Sequence, residues 1–151
     1  MYLNTHTYYS LRYGTIKTEE LLQLASKLGV KTMALTDINS TSANLDFVRL
    51  APKYSIKPVL GVDFRNGVQQ QFILLARCNN SLQLINKYLS DFLHSEKILI
   101  PNKAKDLPNT YVIYPFQTKV FKLKENEFIG VNPFDLNQLK FSKWLLQLDK
   151  L

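Results

Sequence analysis

His6, Asp37 and Asp63 are the side chains whose types and spacing could do chemistry together, and Asn4 lies two residues before His6. An imidazole, two carboxylates and an amide oxygen are all competent ligands for zinc, manganese or magnesium. A metal held among them could activate water against a phosphodiester. Each residue also has an ordinary reading. His6 would be a hydrogen-bonded histidine beside an aromatic cluster, Asp37 an Asx-turn or helix N-cap before Ser40, and Asp63 a rim carboxylate feeding a turn. The chain has only two histidines. The second, His94, falls at the end of a polar helix, where an imidazole complements the negative end of the dipole.

For these residues to meet, the elements that carry them must share a rim. Tyr2–Thr7 alternates as a short strand would, with Tyr2, Asn4 and His6 on one face. Thr18 reads as the cap of a helix with Glu19 and Glu20 in its first turn and Leu21, Leu24, Ala25 and Leu28 inward, stopped at Gly29. Val30–Asp37 is mostly apolar, as in a strand buried on both faces. A second helix opens at Ser40 or Thr41 with Leu45, Phe47, Val48, Leu50 and Ala51 inward, and Lys57–Phe64 returns as a strand. Successive β/α units predict a parallel sheet or barrel, and the carboxyl ends of its strands gather His6, Asp37 and Asp63 on one rim.

Asn66-Gly67, between Pro58–Arg65 and Val68–Arg77, predicts a β-hairpin near residues 58–77 with Asn66 and Gly67 as its loop. Ser81 is expected to cap a helix to about His94 with Leu82, Ile85, Leu89, Phe92 and Leu93 inward. Strands are expected at Thr110–Tyr114 and Phe128–Val131, and a last amphipathic helix at Asp135–Leu148. The chain stops at Leu151 directly after that helix, where a β/α architecture would supply another strand. Residues 1–151 are therefore expected to be the N-terminal portion of one domain.

Composition narrows the class. With 46% hydrophobic residues in 151, a single core can form. No run approaches the roughly 18 apolar residues of a membrane span, and the start lacks a secretory pattern, so a cytoplasmic protein without a membrane partner is expected. The lone Cys78 excludes an internal disulfide or a thiolate zinc cluster, and is expected as a small buried residue. The net charge of +7 is compatible with a polyanionic partner. Its densest part, Lys97, Lys103, Lys105, Lys119, Lys122 and Lys124, is interrupted by Asp106 and three prolines and reads as a solvated face.

The segments Tyr2–Thr15, Ala34–Thr41 and Lys57–Phe64 resemble, in order and spacing, the opening motifs of the PHP (polymerase and histidinol phosphatase) domain of the bacterial DNA polymerase III alpha subunit. That family opens with His-x-His and a Ser-x-x-x-Gly turn, continues with Ala-Leu-Thr-Asp-His, and then has Lys-Pro-Ile-x-Gly-x-Glu. The likeness is strong over residues 1–77 and weak beyond 95. It implies a distorted, TIM-like β/α barrel, here incomplete. In active members the matching positions bind two or three metals and hydrolyse phosphate esters, in some polymerases as a proofreading exonuclease. Here Asn4 stands at the first histidine and His6 at the second. Asp37 is retained, Ile38 replaces the following histidine, and Asp63 stands for the glutamate.

The resemblance therefore implies a vestigial metal site at His6, Asp37, Asp63 and Asn4, with no resident cofactor or at most one weakly held zinc, manganese or magnesium ion. The leading expectation is a non-catalytic interaction and stability module. Its partners would be the rest of a polymerase chain and replisome subunits, with DNA touched only through the parent protein. The alternatives are a residual metal-dependent phosphoesterase or 3′–5′ exonuclease, and a free-standing α/β protein reusing the fold for another binding role. Polymerase chemistry needs paired carboxylates of a palm domain, which these residues do not supply.

Overall fold

A computed structural model describes residues 1–94, 99–116, 122–142, 144 and 148–151. Helix α1 (Thr18–Lys27) carries Glu19 and Glu20 in its first turn and ends before Gly29, as its sequence predicts. Its cap is Lys17 rather than Thr18, which lies inside the helix. The buried stripe therefore runs Thr18, Leu22, Ala25, leaving Leu24 and Leu28 exposed where they were expected inward.

Strand β1 (Thr32–Leu35) pairs in parallel with β2 (Lys57–Asn66), Thr32 opposite Lys57 and Leu35 opposite Leu60. Between them lies α2 (Asn44–Leu50), which buries Phe47 and Leu50 ahead of Ala51. It starts later than Ser40 or Thr41, and Leu45 and Val48 point to solvent, against expectation. The hairpin forms as predicted, β2 pairing antiparallel with β3 (Gln69–Ala76). Its turn is shifted by one residue. Asn66 pairs with Gln69, so the loop is Gly67-Val68, and the positive φ of 59° that only the first loop position needs falls on Gly67. Asn66 stays in the ladder because its side chain is used elsewhere: Nδ2 donates to the Ile100 carbonyl at 2.8 Å and Oδ1 accepts from the Ile100 amide at 3.0 Å. Phe64 lies opposite Phe72 but Arg65 opposite Gln70, so Gln71 forms a bulge.

Helix α3 (Asn79–Leu93) follows, with Ile85, Tyr88 and Leu89 buried and Phe92 at the core margin, while Leu93 is exposed. Ser81 sits in its first turn, its hydroxyl accepting from the Cys78 amide, so Cys78 rather than Ser81 is the cap. Cys78 is exposed, not buried, because β3 ends at Ala76 and the chain turns there. Strands β4 (Thr110–Pro115) and β5 (Glu127–Gly130) appear where expected; β4 is antiparallel to β3 and parallel to β5.

The helix expected over 135–148 is not continuous. A 3₁₀ turn at Pro133–Asp135 leads into the single-turn helix α4 (Leu136–Leu139), Lys140–Ser142 turn away, and part of the remainder lies outside the described residues. Asn132 and Asp135 each accept a backbone N–H there, a local bonding pattern that favours a short capped turn over a long helix. Lys103, Lys105, Lys122 and Lys124 are solvated as expected, Lys124 pairing with Asp106; Lys97 and Lys119 lie outside the described residues.

The strands form one mixed sheet in sequence order, and among the described residues it is open. One face is sealed. Met33 and Leu35 pack with α1 and α2, and Val62, Phe64, Phe72, Leu74 and Tyr114 pack with α3 and Trp144. On the other face Val59, Ile73, Leu75 and Ile113 line a concave groove of about 1970 Å³, with Ala34 buried against them. Among the described residues no helix is long and apolar enough to cross a membrane.

The expected strand at Tyr2–Thr7 is replaced by an irregular segment with a single bridge, Tyr2 to Met33. Two backbone bonds remain, from the Ala34 amide to the Tyr2 carbonyl and from the Thr36 amide to the Thr5 carbonyl, and side chains add to them: the Thr5 amide donates to Thr36 Oγ1, the Thr5 hydroxyl to the Ala34 carbonyl, and the Thr36 hydroxyl to Asn4 Oδ1.

Tyr114, fully buried between these strands, donates its hydroxyl to Glu127 Oε1 at 3.3 Å, and burial followed by the Glu127 charge pushes its phenol up to about 12. A folded-state value above the unfolded one contributes stability that is intact below pH ~10 and lost as pH rises through the folded value. In an alkaline titration followed by tyrosinate absorbance, the last-ionising tyrosine should disappear in Tyr114→Phe, and that variant should lose less stability than the parent above pH ~10.

Candidate metal site and its internal ion pair

Asp37, two residues beyond the end of β1, is 1% exposed and held by the N-terminal loop. Oδ1 accepts from the Thr7 amide at 2.6 Å and the Ser10 hydroxyl at 2.7 Å, and Oδ2 accepts from the Thr7 hydroxyl at 2.7 Å. The Ser10 oxygen in turn accepts from the Ile38 amide at 2.9 Å. Tyr13 and Gly14 both donate their amides to the Ser10 carbonyl, closing the loop so tightly that a Cβ on Gly14 would lie 1.7 Å from the Thr7 carbonyl oxygen. The loop therefore needs glycine there. Asp37 is neither an Asx-turn residue nor a cap before Ser40; it is the anchor of residues 7–14.

Asp63 is fully buried on β2, beside Asp37 through the bridge of Ile38 to Asp63. Its Oδ2 accepts from Arg65 Nε at 3.0 Å and Nη2 at 2.8 Å, and His6 Nε2 lies 3.2 Å away. Burial pushes this carboxyl up, but hydrogen bonds from His6 and Arg65 and the Arg65 charge outweigh it, holding it below the ordinary carboxylate value. Asp63 Oδ1 is buried without a hydrogen-bond partner, as is Gln70 Nε2. Gln70 is also among the groups that lower the Asp63 carboxyl.

Of the four candidates, the structure brings His6 into contact with Asp63 and places Asp37 on the adjacent strand end, while Asn4 is turned to Thr36. Among the described residues no three His, Cys, Asp or Glu side chains are placed to hold one metal ion. The arrangement does not fit a multi-metal cluster. A carboxylate offers about four lone-pair sites. Asp37 commits three of them to protein donors, and Asp63 Oδ2 already faces a guanidinium. His94 caps α3, donating Nδ1–H to the Ser90 carbonyl at 2.8 Å, as its position suggested.

Sequence reasoning missed Thr7, Ser10, Asn39 and Arg65. Arg65 had a readable signal, standing two residues beyond Asp63 and so on the same strand face. Thr7 and Ser10 act from irregular backbone, where no periodicity marks them.

The mixed sheet and its Asp-anchored loop lie within a segment that a family model recognises: the chain belongs to the PHP domain family, which matches residues 3–115. The match takes in His6, Asp37 and Asp63 and runs on through β4, further than the motifs alone suggested. Among curated proteins the chain is similar to the DNA polymerase III subunit alpha of several bacteria. That of Buchnera aphidicola subsp. Acyrthosiphon pisum is 28% identical over 114 residues, 68% of this chain and 10% of the relative. That of Mycoplasma genitalium is 29% identical over 118 residues, 75% and 13% respectively, and that of Aquifex aeolicus 26% over 109 residues, 72% and 9%. The chain thus spans about a tenth of the length of these relatives.

Asp37→Ala should cost about 3 kcal/mol or more in urea unfolding, since one buried amide and two hydroxyls lose their acceptor, while His6→Ala, on a partly exposed ring, should cost about 1 kcal/mol. The depressed Asp63 carboxyl contributes stability that is present above the unfolded value near ~3.9 and lost as pH falls through the lower folded value. Between about pH 4 and pH 2 the parent should therefore lose more stability than Asp63→Asn.

Proposed function

We propose that this chain is the N-terminal PHP-domain portion of a bacterial replicative DNA polymerase alpha subunit, acting as a structural and interaction module rather than a hydrolase. The open sheet would be one arc of a distorted β/α barrel. Its partners would be the rest of the polymerase chain and replisome subunits, DNA would be reached through the parent protein, and the setting would be the cytoplasm. The supporting observation is how the two retained aspartates use their oxygens. Asp37 holds the loop that carries Tyr13, and Asp63 holds Arg65. Groups already occupied in this way position backbone and neutralise charge, and a hydrolytic metal would have to displace those partners first.

A residual single-metal phosphoesterase or 3′–5′ exonuclease is the second reading, favoured by the unpaired, buried Oδ1 of Asp63 beside His6. Two measurements separate them. Treatment with a chelator should leave the melting temperature unchanged, and manganese or zinc should release no nucleotides from single-stranded DNA. Metal-dependent release that vanishes in both His6→Ala and Asp37→Ala would establish the second reading instead.

A further inference from the structure

The groups around Arg65 form a receptor for a guanidinium. Its side chain is only 14% exposed, and its Nε and Nη2 both converge on one oxygen of the fully buried Asp63. The guanidinium carbon lies 4.9 Å from the centre of the Tyr13 ring, within cation–π range. Its backbone is clamped from across the rim. The Arg65 amide donates to Asn39 Oδ1 at 2.9 Å, and Asn39 Nδ2 donates to the Arg65 carbonyl at 2.8 Å. Asn39 adopts a left-handed φ of 48° immediately after Ile38, the residue that stands in place of a metal-binding histidine. Each of the three motif segments thus contributes to holding this one cation: Tyr13 from the first, Asn39 from the second and Asp63 from the third.

We propose that Arg65 is a resident cation that takes over the neutralising role of a metal at Asp63. A buried carboxylate is costly unless a positive charge accompanies it. A divalent ion or a guanidinium can supply that charge, and the guanidinium does so covalently tethered, with five donors and no need of a metal supply. Its charge faces Oδ2 alone, as a singly coordinated ion would, and Oδ1 stays buried without a hydrogen-bond partner. This deepens the non-hydrolytic reading of the site and rests on it, but not on the polymerase assignment.

The test uses the full chain, with manganese chloride as the probe and thermal and urea unfolding as the readout. The parent and Arg65→Lys should melt identically with chelator or with millimolar manganese. Arg65→Gln should lose at least about tenfold in its folding equilibrium, through the uncompensated Asp63 charge, and manganese at about ten times its dissociation constant should recover about tenfold. Asp63→Asn combined with Arg65→Gln should be more stable than the single losses add up to, by about tenfold, and indifferent to manganese. If Arg65→Gln fails to fold, the same comparison is made by refolding it with manganese or with Asp63→Asn added; recovery by both supports the proposal, and recovery by neither overturns it. An ordinary structural ion pair predicts the double-variant recovery without any manganese response, and that result overturns the replacement role while leaving the non-hydrolytic reading of the site intact. A parent chain that melts earlier with chelator overturns both.

Discussion

Much of this molecule depends on where the three donors to the Asp37 carboxylate come from. All three lie within residues 7–10, so a single buried group at the end of β1 fixes the path of the loop in front of it. The loop then delivers two side chains it could not otherwise place: His6 onto Asp63, and Tyr13 over Arg65. The irregular segment from Tyr2 to Thr7 follows from the same constraint. Its backbone is tied to the sheet by two backbone bonds, from the Ala34 and Thr36 amides, together with threonine hydroxyls and Asp37, without forming a regular ladder.

The two aspartates of the family motifs now serve unlike ends. Asp37 is surrounded by neutral donors and organises backbone, whereas Asp63 faces a full positive charge and an imidazole. In both, the acceptor capacity of a carboxylate is used in a dry setting, where a hydrogen bond is strong and an unmet one is costly. The absence of an imidazole at Asn4 and Ile38 therefore does not make the two carboxylates dispensable. Their oxygens have other donors to satisfy.

Element order was largely legible in the sequence: both helices that flank β1, the hairpin, α3 and the late strands all lie near their predicted places. Errors arose where a side chain made a bond that periodicity does not register. Asn66 looked like a turn residue and instead clamps Ile100, moving the turn to Gly67-Val68. Thr18 looked like a cap and is a buried helical residue, rotating the stripe of α1 onto Leu22. At the site, Asp37 and Asp63 were legible as neighbours because strand ends converge in β/α folds, whereas His6 reaches Asp63 from an irregular segment and not from the strand expected to carry it. Asn4 accepts from Thr36 because the alternation expected to aim it with His6 is absent, and the polar partners of Asp37 were invisible because they act from a loop. Arg65 was in plain view two residues from Asp63, but a basic residue beside a presumed metal ligand has no place in a metal-centred reading.

The bulge at Gln71 carries a consequence for how this hairpin can change in length. Gln69, Gln70 and Gln71 are identical neighbours, so deletion of any one of the three codons produces the same polypeptide. The glutamines that remain can pair opposite Arg65 and Asn66 in an unbroken ladder, while the pairs from Phe64–Phe72 back to Gly61–Leu75 keep their register. A repeated residue thus sits where the sheet can absorb the loss of one copy, with Asp63 still paired to Ile73 in the ladder.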